Sequence, residues 1–206
     1  MRSRRIKIIL FFVFAALTVA FCFNSPVPEL MLLNHSATIL AGIFLIFVML
    51  RDNISTWSFK LILVFTLLHS IGAKWTYIYV PYDEWYQWLT GSTLSEIFGW
   101  ERNNYDRWVH FAYGLLIWYP AKEIFQKWYG YKLRQATFAA WMFIAASSML
   151  YELFEWALTV VAASETAEHY NGQQGDFWDA QKDMALASGG AILAWIINKI
   201  SRLVRR

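Results

Sequence analysis

Six stretches of this 206-residue chain, at 6–23, 31–50, 60–80, 106–126, 137–162 and 183–200, are apolar over lengths close to the thickness of a bilayer core. A helix needs about 20 such residues to cross hydrocarbon. Backbone in lipid must also satisfy its own hydrogen bonds, so segments of this length are read as helices. The chain is 58% hydrophobic and 16% charged, against about 25% charged in an ordinary soluble domain. The expected fold is all-α: a polytopic membrane protein, one domain over 1–206, built as a bundle of six transmembrane helices. The last helix, at 183–200, is the shortest of the six.

Basic residues in short loops stay on the cytoplasmic side. With six crossings and an inside N-terminus, Arg2, Arg4, Arg5, Lys7, Arg51, Lys60, Lys122, Lys127, Lys132, Arg134, Lys199, Arg202, Arg205 and Arg206 all fall inside. Only Lys74, Arg102, Arg107 and Lys182 fall outside. N- and C-termini are therefore expected to be cytoplasmic. The net charge of +3 reports this bias rather than a nucleic-acid surface, because no soluble segment carries a basic patch with interleaved aromatics. Arg2 to Lys7 followed by an apolar run also describes a secretory signal. No small-x-small cleavage site follows, and bulky Phe21 precedes Cys22, so an uncleaved anchor helix is expected. The lone Cys22 cannot form an internal disulfide and is assigned to packing.

Two long connections face outside. Residues 81–105 mix Trp85, Tyr86, Trp88 and Trp100 with Asp83, Glu84, Glu96 and Glu101, a composition suited to the headgroup level. Residues 163–182 carry an Asn-Gly-Gln-Gln-Gly stretch and then an acidic run. In the last helix, Ala185, Ala187, Ser188, Gly189, Gly190 and Ala191 are small enough to let a neighbouring backbone approach closely.

Ionisable groups inside these segments are costly and mark candidate sites. At about 1.5 Å per residue, Glu155 and Glu152 lie about 10 and 15 Å below the outer end of helix five, and His110 about 6 Å into helix four. His69 and Lys74 of helix three fall at about 16 and 9 Å. Azimuth agrees: Asp106 with His110, Glu152 with Glu155, and Asp179 with Asp183 are helical neighbours three or four residues apart. Ser148 and Tyr151 extend the helix-five stripe. The expectation is an outward-facing polar crevice between helices three to six. Ordinary roles compete: Asp106, Asp179 and Asp183 suit helix starts, His69 suits an interhelical hydrogen bond, and Lys74 can snorkel. Glu152 and Glu155 resist such roles, because mid-bundle carboxylates must be protonated, paired or bound to a cation.

The pattern Arg102-Asn103-x-Tyr105-Asp106-Arg107-x-x-His110-Phe111, then Tyr151-Glu152-x-x-Glu155-Trp156, then Gln174-Gly175-Asp176-x-Trp178-Asp179-x-Gln181-x-Asp183-Met184 resembles the signature of the YjdF-like bacterial inner-membrane proteins, over about 77–195. Trp108-Val109 before the histidine is a mild departure from it. The chain is more loosely similar to the VanZ-like membrane proteins, in which an Asp-x-x-x-His opening, an acidic pair and an Asp before a Gly-rich last helix recur. These resemblances imply a multi-pass protein of the bacterial inner membrane with a shared polar site facing the periplasm, and supply no reaction.

Asp106, His110, Glu152, Glu155, Asp179 and Asp183 are the candidate catalytic groups. Arg102, Asn103, Tyr105, Arg107, His69, Lys74, Gln174, Asp176 and Trp178 are the candidate substrate-binding ones. His110 with Glu152, Glu155 and Asp183 offers hard oxygen ligands and one nitrogen, a set suited to Mg, Mn or Zn. The partner expected is a membrane lipid or amphiphilic small molecule, such as a polyprenyl-linked headgroup, attacked by metal-bound water or by acid–base chemistry. The alternative is a non-catalytic binder or proton-coupled transporter of an amphiphilic or cationic compound, with a purely structural ion-pair network as a third reading. The His-Glu-x-x-His and Gly-x-Ser-x-Gly motifs do not occur.

Overall fold

A computed structural model describes residues 2–161 and 173–204. Among them the regular structure is helical: α1 (Arg2–Phe21), α2 (Met31–Asn34), α3 (Ser36–Arg51), α4 (Thr56–Lys74), α5 (Tyr82–Thr90), α6 (Leu94–Phe98), α7 (Tyr105–Tyr129), α8 (Leu133–Val161) and α9 (Asp179–Val204), with a 3-10 turn at Pro28–Leu30 before α2. Four spans are long and apolar enough to cross a membrane, namely Pro28–Arg51, Thr56–Lys74, Leu133–Val161 and Asp179–Val204. Helices α1 and α7 are of similar length but carry more charge, at the start of α1 and at both ends of α7.

Helices α4 and α7 form the middle of the bundle. On one side, Phe14 of α1 and Leu45 and Val48 of α3 pack on Phe59, Ile62 and Leu63 of α4. On the other, Trp118 and Ala121 of α7 pack on Ala140 and Ile144 of α8 and on Ala187, Ala191 and Ala194 of α9. The α7–α9 pair is the most extensive, and its cause is a reciprocal pair of glycines. A Cβ on Gly114 would lie 1.8 Å from the Ala187 carbonyl oxygen, and one on Gly190 would lie 2.1 Å from that of Phe111. The two backbones touch where side chains would hold them apart. Gly189, by contrast, faces open space, so of the two adjacent glycines only Gly190 serves the close approach.

Both described chain ends lie at one end of the bundle. Ser3 Oγ is 2.8 Å from Thr56 Oγ1. Lys7, fully buried, donates to Asp52 Oδ1 at 2.5 Å and to the Ile54 carbonyl at 2.6 Å. This partner holds the Asp52 carboxyl below its ordinary range. At the same end Glu123 accepts from Ser55 N at 2.9 Å, from Ser55 Oγ at 2.7 Å and from Ser58 Oγ. These contacts build α1 into the fold as a packed helix. Cys22, just beyond it, is exposed and donates to the Thr18 carbonyl at 3.4 Å, so the packing role expected for it is not what the structure shows.

Three element boundaries differ from the sequence expectation. The second helix is interrupted at His35, whose backbone leaves the helical region. The third ends at Lys74 rather than near residue 80, because Thr76 and Tyr77 adopt left-handed φ values of 47° and 61°. The last begins at Asp179 and runs 26 residues, longer than the 183–200 read from hydropathy. Residues 81–105, read as a connection, hold two short helices. A capping box between Thr93 and Glu96 starts α6, and Asp83 accepts from Leu94 N at 2.8 Å and Ser95 N at 3.1 Å. Of the other expected connection, 163–182, residues 163–172 lie outside the described residues.

Candidate functional site

The end of the bundle opposite the chain ends carries the candidate acidic residues of α7, α8 and α9 in two layers. The outer layer is an ion-pair network. Arg102 donates to Asp106 Oδ2 and to Asp179 Oδ1, and lies 3.7 Å from Asp176. Arg107 donates to Asp176 Oδ2 and lies 3.5 Å from Asp179 Oδ1. Lys182 closes the network on Asp176 at 2.6 Å. This ammonium, with the backbone amide of Trp178, holds the Asp176 carboxyl down at about 2. Gln174 and Asn103 exchange two hydrogen bonds of 2.9 Å, pinning residues 173–178 across the start of α7.

That docking is testable. A depressed carboxyl contributes stabilisation that is in place above the ordinary aspartate range near 4 and is lost only as pH falls toward 2. Lowering the pH from 7 to 5 is therefore expected to leave the segment docked. Asp176→Asn is expected to speed hydrogen exchange in 173–181 by about fivefold, since it removes charge-assisted hydrogen bonds. Equal exchange in the two proteins would mean the network does not hold this segment.

The inner layer lies one helical turn deeper, about 6 Å below Asp106 and Asp179, and among the described residues no arginine forms an ion pair with Glu152 or Asp183. Ligand atoms of His110, Glu152 and Asp183 lie within 4.8 Å of one another, as do those of Asp106, Asp179 and Asp183. Asp183 belongs to both groups. Glu152 is 8% exposed and Asp183 3%. Glu152 Oε1 and Asp183 Oδ1 have no hydrogen-bond partner among the described residues, and His110 Nε2 stands 3.5 Å from Glu152 Oε1 without bonding it. Buried carboxylate oxygens without donors are costly. Among the described residues, the six carboxyls of Asp106, Glu152, Glu155, Asp176, Asp179 and Asp183 cluster in these two layers with three cationic side chains, Arg102, Arg107 and Lys182. Protons or a bound cation must balance the remainder.

Beside the inner layer is a cavity of about 230 Å³. It is lined by the polar Asp106, His110, Glu155 and Asp183 and by the apolar Ala37, Ala41, Phe65 and Val109. Tyr113 and Ser147 meet across it at 2.6 Å, and Tyr151 packs edge-on against His110. On the far wall the left-handed turn at Thr76–Tyr77 folds Tyr77 back onto Gly72, where a Cβ would lie 2.5 Å from the ring, and its hydroxyl reaches His69 Nδ1. A second cavity, of about 260 Å³, lies behind Glu152 between α8 and α9. Glu155 lines both cavities and stands outside the two ligand groups.

Other candidates fall elsewhere. Lys74 lies with Nζ 4.5 Å from the Trp75 ring centroid, away from the cavity. Trp178 is 57% exposed. Asn103 and Tyr105 serve the frame: Asn103 Nδ2 donates to the Val80 carbonyl and the Tyr105 hydroxyl to that of Leu68, both at 2.9 Å. Asp106 is not the N-cap of α7, which is Asn104, but stands in its first turn, the other helix-start role expected for it, and its Oδ1 accepts from Arg107 N at 2.6 Å. Sequence reasoning missed His35, buried with Nδ1 3.3 Å from Thr38 Oγ1. A lone histidine near the start of an apolar run was the only signal for it.

A helical protein with four membrane-crossing candidates and a buried acidic cluster under an arginine lid is the class that fold and site define. The family model described as predicted membrane protein DUF2238 matches residues 6–202, and the chain belongs to that family. The inner membrane protein YjdF of Escherichia coli strain K12 is 33% identical over 135 residues, which are 65% of this chain and 60% of that protein. The chain thus spans less than two thirds of that relative's length. The expected likeness to YjdF-like proteins holds on both comparisons. No solved structure matches.

Proposed function

We propose that the inner layer is a divalent-cation site, which His110, Glu152 and Asp183 would hold, beside which an amphiphile of the membrane is bound. A cation there would activate water to hydrolyse the headgroup ester, the ester bond breaking as the alcohol leaves with a proton. In this reading all six long helices cross the inner membrane, both chain ends are cytoplasmic, and the crevice faces the periplasm. The grouping of fourteen basic residues with the chain ends supports that orientation. The stretch 108–121 of α7, free of Asp, Glu, Lys and Arg, supports a crossing there.

One observation carries the reading: two buried carboxylate oxygens lacking any donor among the described residues, on Glu152 and Asp183, sit at ligand spacing with His110 beside a cavity. Two carboxylates and one imidazole suit Mg, Mn or Zn. Of the ligand set expected from sequence, His110, Glu152 and Asp183 have ligand atoms within 4.8 Å of one another, and Glu155 lines the cavity as the group available to move a proton at the headgroup. A cavity lined by both apolar and acidic side chains suits a chain-bearing substrate with a polar headgroup. A membrane lipid or polyprenyl-linked headgroup fits that shape.

Paramagnetic resonance tests the cation. Titrating the purified protein with Mn²⁺ is expected to quench the free-ion signal at one equivalent, and His110→Ala to weaken binding about a hundredfold or more. Glu152→Gln is expected to abolish function in a complementing strain at near-normal membrane expression. An unquenched signal together with inactive Glu152→Gln would instead favour metal-free acid–base work by the carboxyl pair.

The second reading, a proton-coupled binder of a cationic or amphiphilic compound, is favoured by the far wall. Nε2 of His69 and of His35 are both buried without a partner among the described residues, and His69 lines the cavity. Histidine beside carboxylates in mid-bundle is the composition of a proton relay. Proton uptake on ligand addition, lost in His69→Gln, separates this reading from the first.

A further inference from the structure

At the end of the bundle that carries the chain ends, a groove of about 940 Å³ runs over α7 between α4 and α9. Its inner wall holds Lys122, only 6% exposed. The Lys122 ammonium donates to Asn198 Oδ1 at 2.9 Å and stands 4.1 Å from the Tyr119 ring centroid and 5.1 Å from that of Trp118. It forms no ion pair among the described residues. Its neighbour Glu123 is engaged by Ser55, Ser58 and Lys127. Arg202 lines the same groove, also without an ion pair among the described residues, and Ser55 and Ser201 add hydroxyls. Beyond this basic mouth the groove is walled by Leu61, Leu115, Leu116 and Ile197, the last 49% exposed.

A nearly buried cation that forms no ion pair among the described residues, and whose neighbouring carboxylate Glu123 is already engaged by Ser55, Ser58 and Lys127, is costly. We infer that an anionic phospholipid occupies this groove, with its phosphate against Lys122 and Arg202 and an acyl chain along the leucine wall. Charge complementarity selects the headgroup, and the apolar length of the groove selects a lipid over a free anion. Basic pockets between membrane helices recognise anionic headgroups in this way. The site is separate from the acidic crevice and stands whether or not that crevice binds a metal.

The test is native mass spectrometry of the detergent-solubilised full chain, titrated with dioleoylphosphatidylglycerol or dioleoylphosphatidylcholine. The phosphatidylglycerol is expected to bind about tenfold more tightly. Arg202→Gln is expected to weaken it about fivefold, and the Lys122→Gln/Arg202→Gln double variant about twenty-five-fold, the effect of one and two interfacial charges. Lys122→Arg should retain binding. Because Arg202 is exposed, its variant tests the site even if Lys122→Gln fails to fold. Equal affinity for the two lipids, unchanged binding in Arg202→Gln, or displacement of the lipid by millimolar inorganic phosphate overturns the proposal.

Discussion

Asp183→Asn is expected to abolish cation binding while leaving the cation-free protein as stable as wild type or more so. Asp183 is the residue common to both ligand groups, 3% exposed, with one oxygen lacking any donor among the described residues. Were it a structural ion-pair partner, its removal would strand a buried charge and cost about 3–5 kcal/mol. Among the described residues no arginine or lysine pairs with it; Arg102, Arg107 and Lys182 are engaged by Asp106, Asp176 and Asp179. Neutralising it therefore removes repulsion from Glu152 and Asp106 and strands nothing. A ligand at a hundred times its dissociation constant stabilises the folded state by about 2.7 kcal/mol. Wild type should accordingly gain thermal stability on adding Mn²⁺, and Asp183→Asn should not. A variant that melts well below the cation-free wild type would point to a structural role, and one that still gains stability from Mn²⁺ would remove Asp183 from the site.

The deep half of this site could be read from spacing because helical geometry is local. Asp106 with His110 and Asp179 with Asp183 share faces by their four-residue separation alone, and their common depth follows from counting residues from the segment ends. What the one-dimensional pattern could not supply was partner choice. Arg102 and Arg107 reach Asp176 and Asp179 across more than sixty-five intervening positions, and nothing local distinguishes them from headgroup-binding arginines. Nor does hydropathy report left-handed turns: Thr76 and Tyr77 carry ordinary side chains, so the early end of α4 and the return of Tyr77 to His69 were invisible. Lys74 was drawn into the expected crevice by depth, a measure that ignores azimuth. Glu155 shares a helix stripe with Glu152, yet only the deeper residue lies within 4.8 Å of both His110 and Asp183 ligand atoms. Gly114 passed unremarked because one glycine in an apolar helix has no periodic partner, whereas the small-residue run in α9 announced itself.

That unremarked glycine carries the largest expected effect on stability. In an exposed helix, Gly→Ala is favourable by about 1 kcal/mol through propensity. At Gly114 and Gly190 the added methyl would meet backbone, at 1.8 and 2.1 Å, rather than a side chain able to rotate away. The helices must separate, and forcing extra volume into such packing costs about 3 kcal/mol or more, so the clash outweighs propensity severalfold. Gly114→Ala or Gly190→Ala is expected to lower the apparent melting temperature by about 10 °C, read by the loss of folded protein on heating in detergent. The separation has a second consequence, because α7 carries Asp106 and His110 while α9 carries Asp179 and Asp183. Moving the two helices apart by even 1 Å opens both ligand groups, so the surviving folded fraction of either variant should bind Mn²⁺ weakly. Gly189→Ala is the internal control, since its methyl enters open space: it should match or slightly exceed wild-type stability and leave Mn²⁺ binding unchanged. Equal melting temperatures for Gly114→Ala, Gly189→Ala and wild type would show that α7 and α9 do not pack backbone to backbone, and with that contact would go the geometry that brings Asp183 to His110.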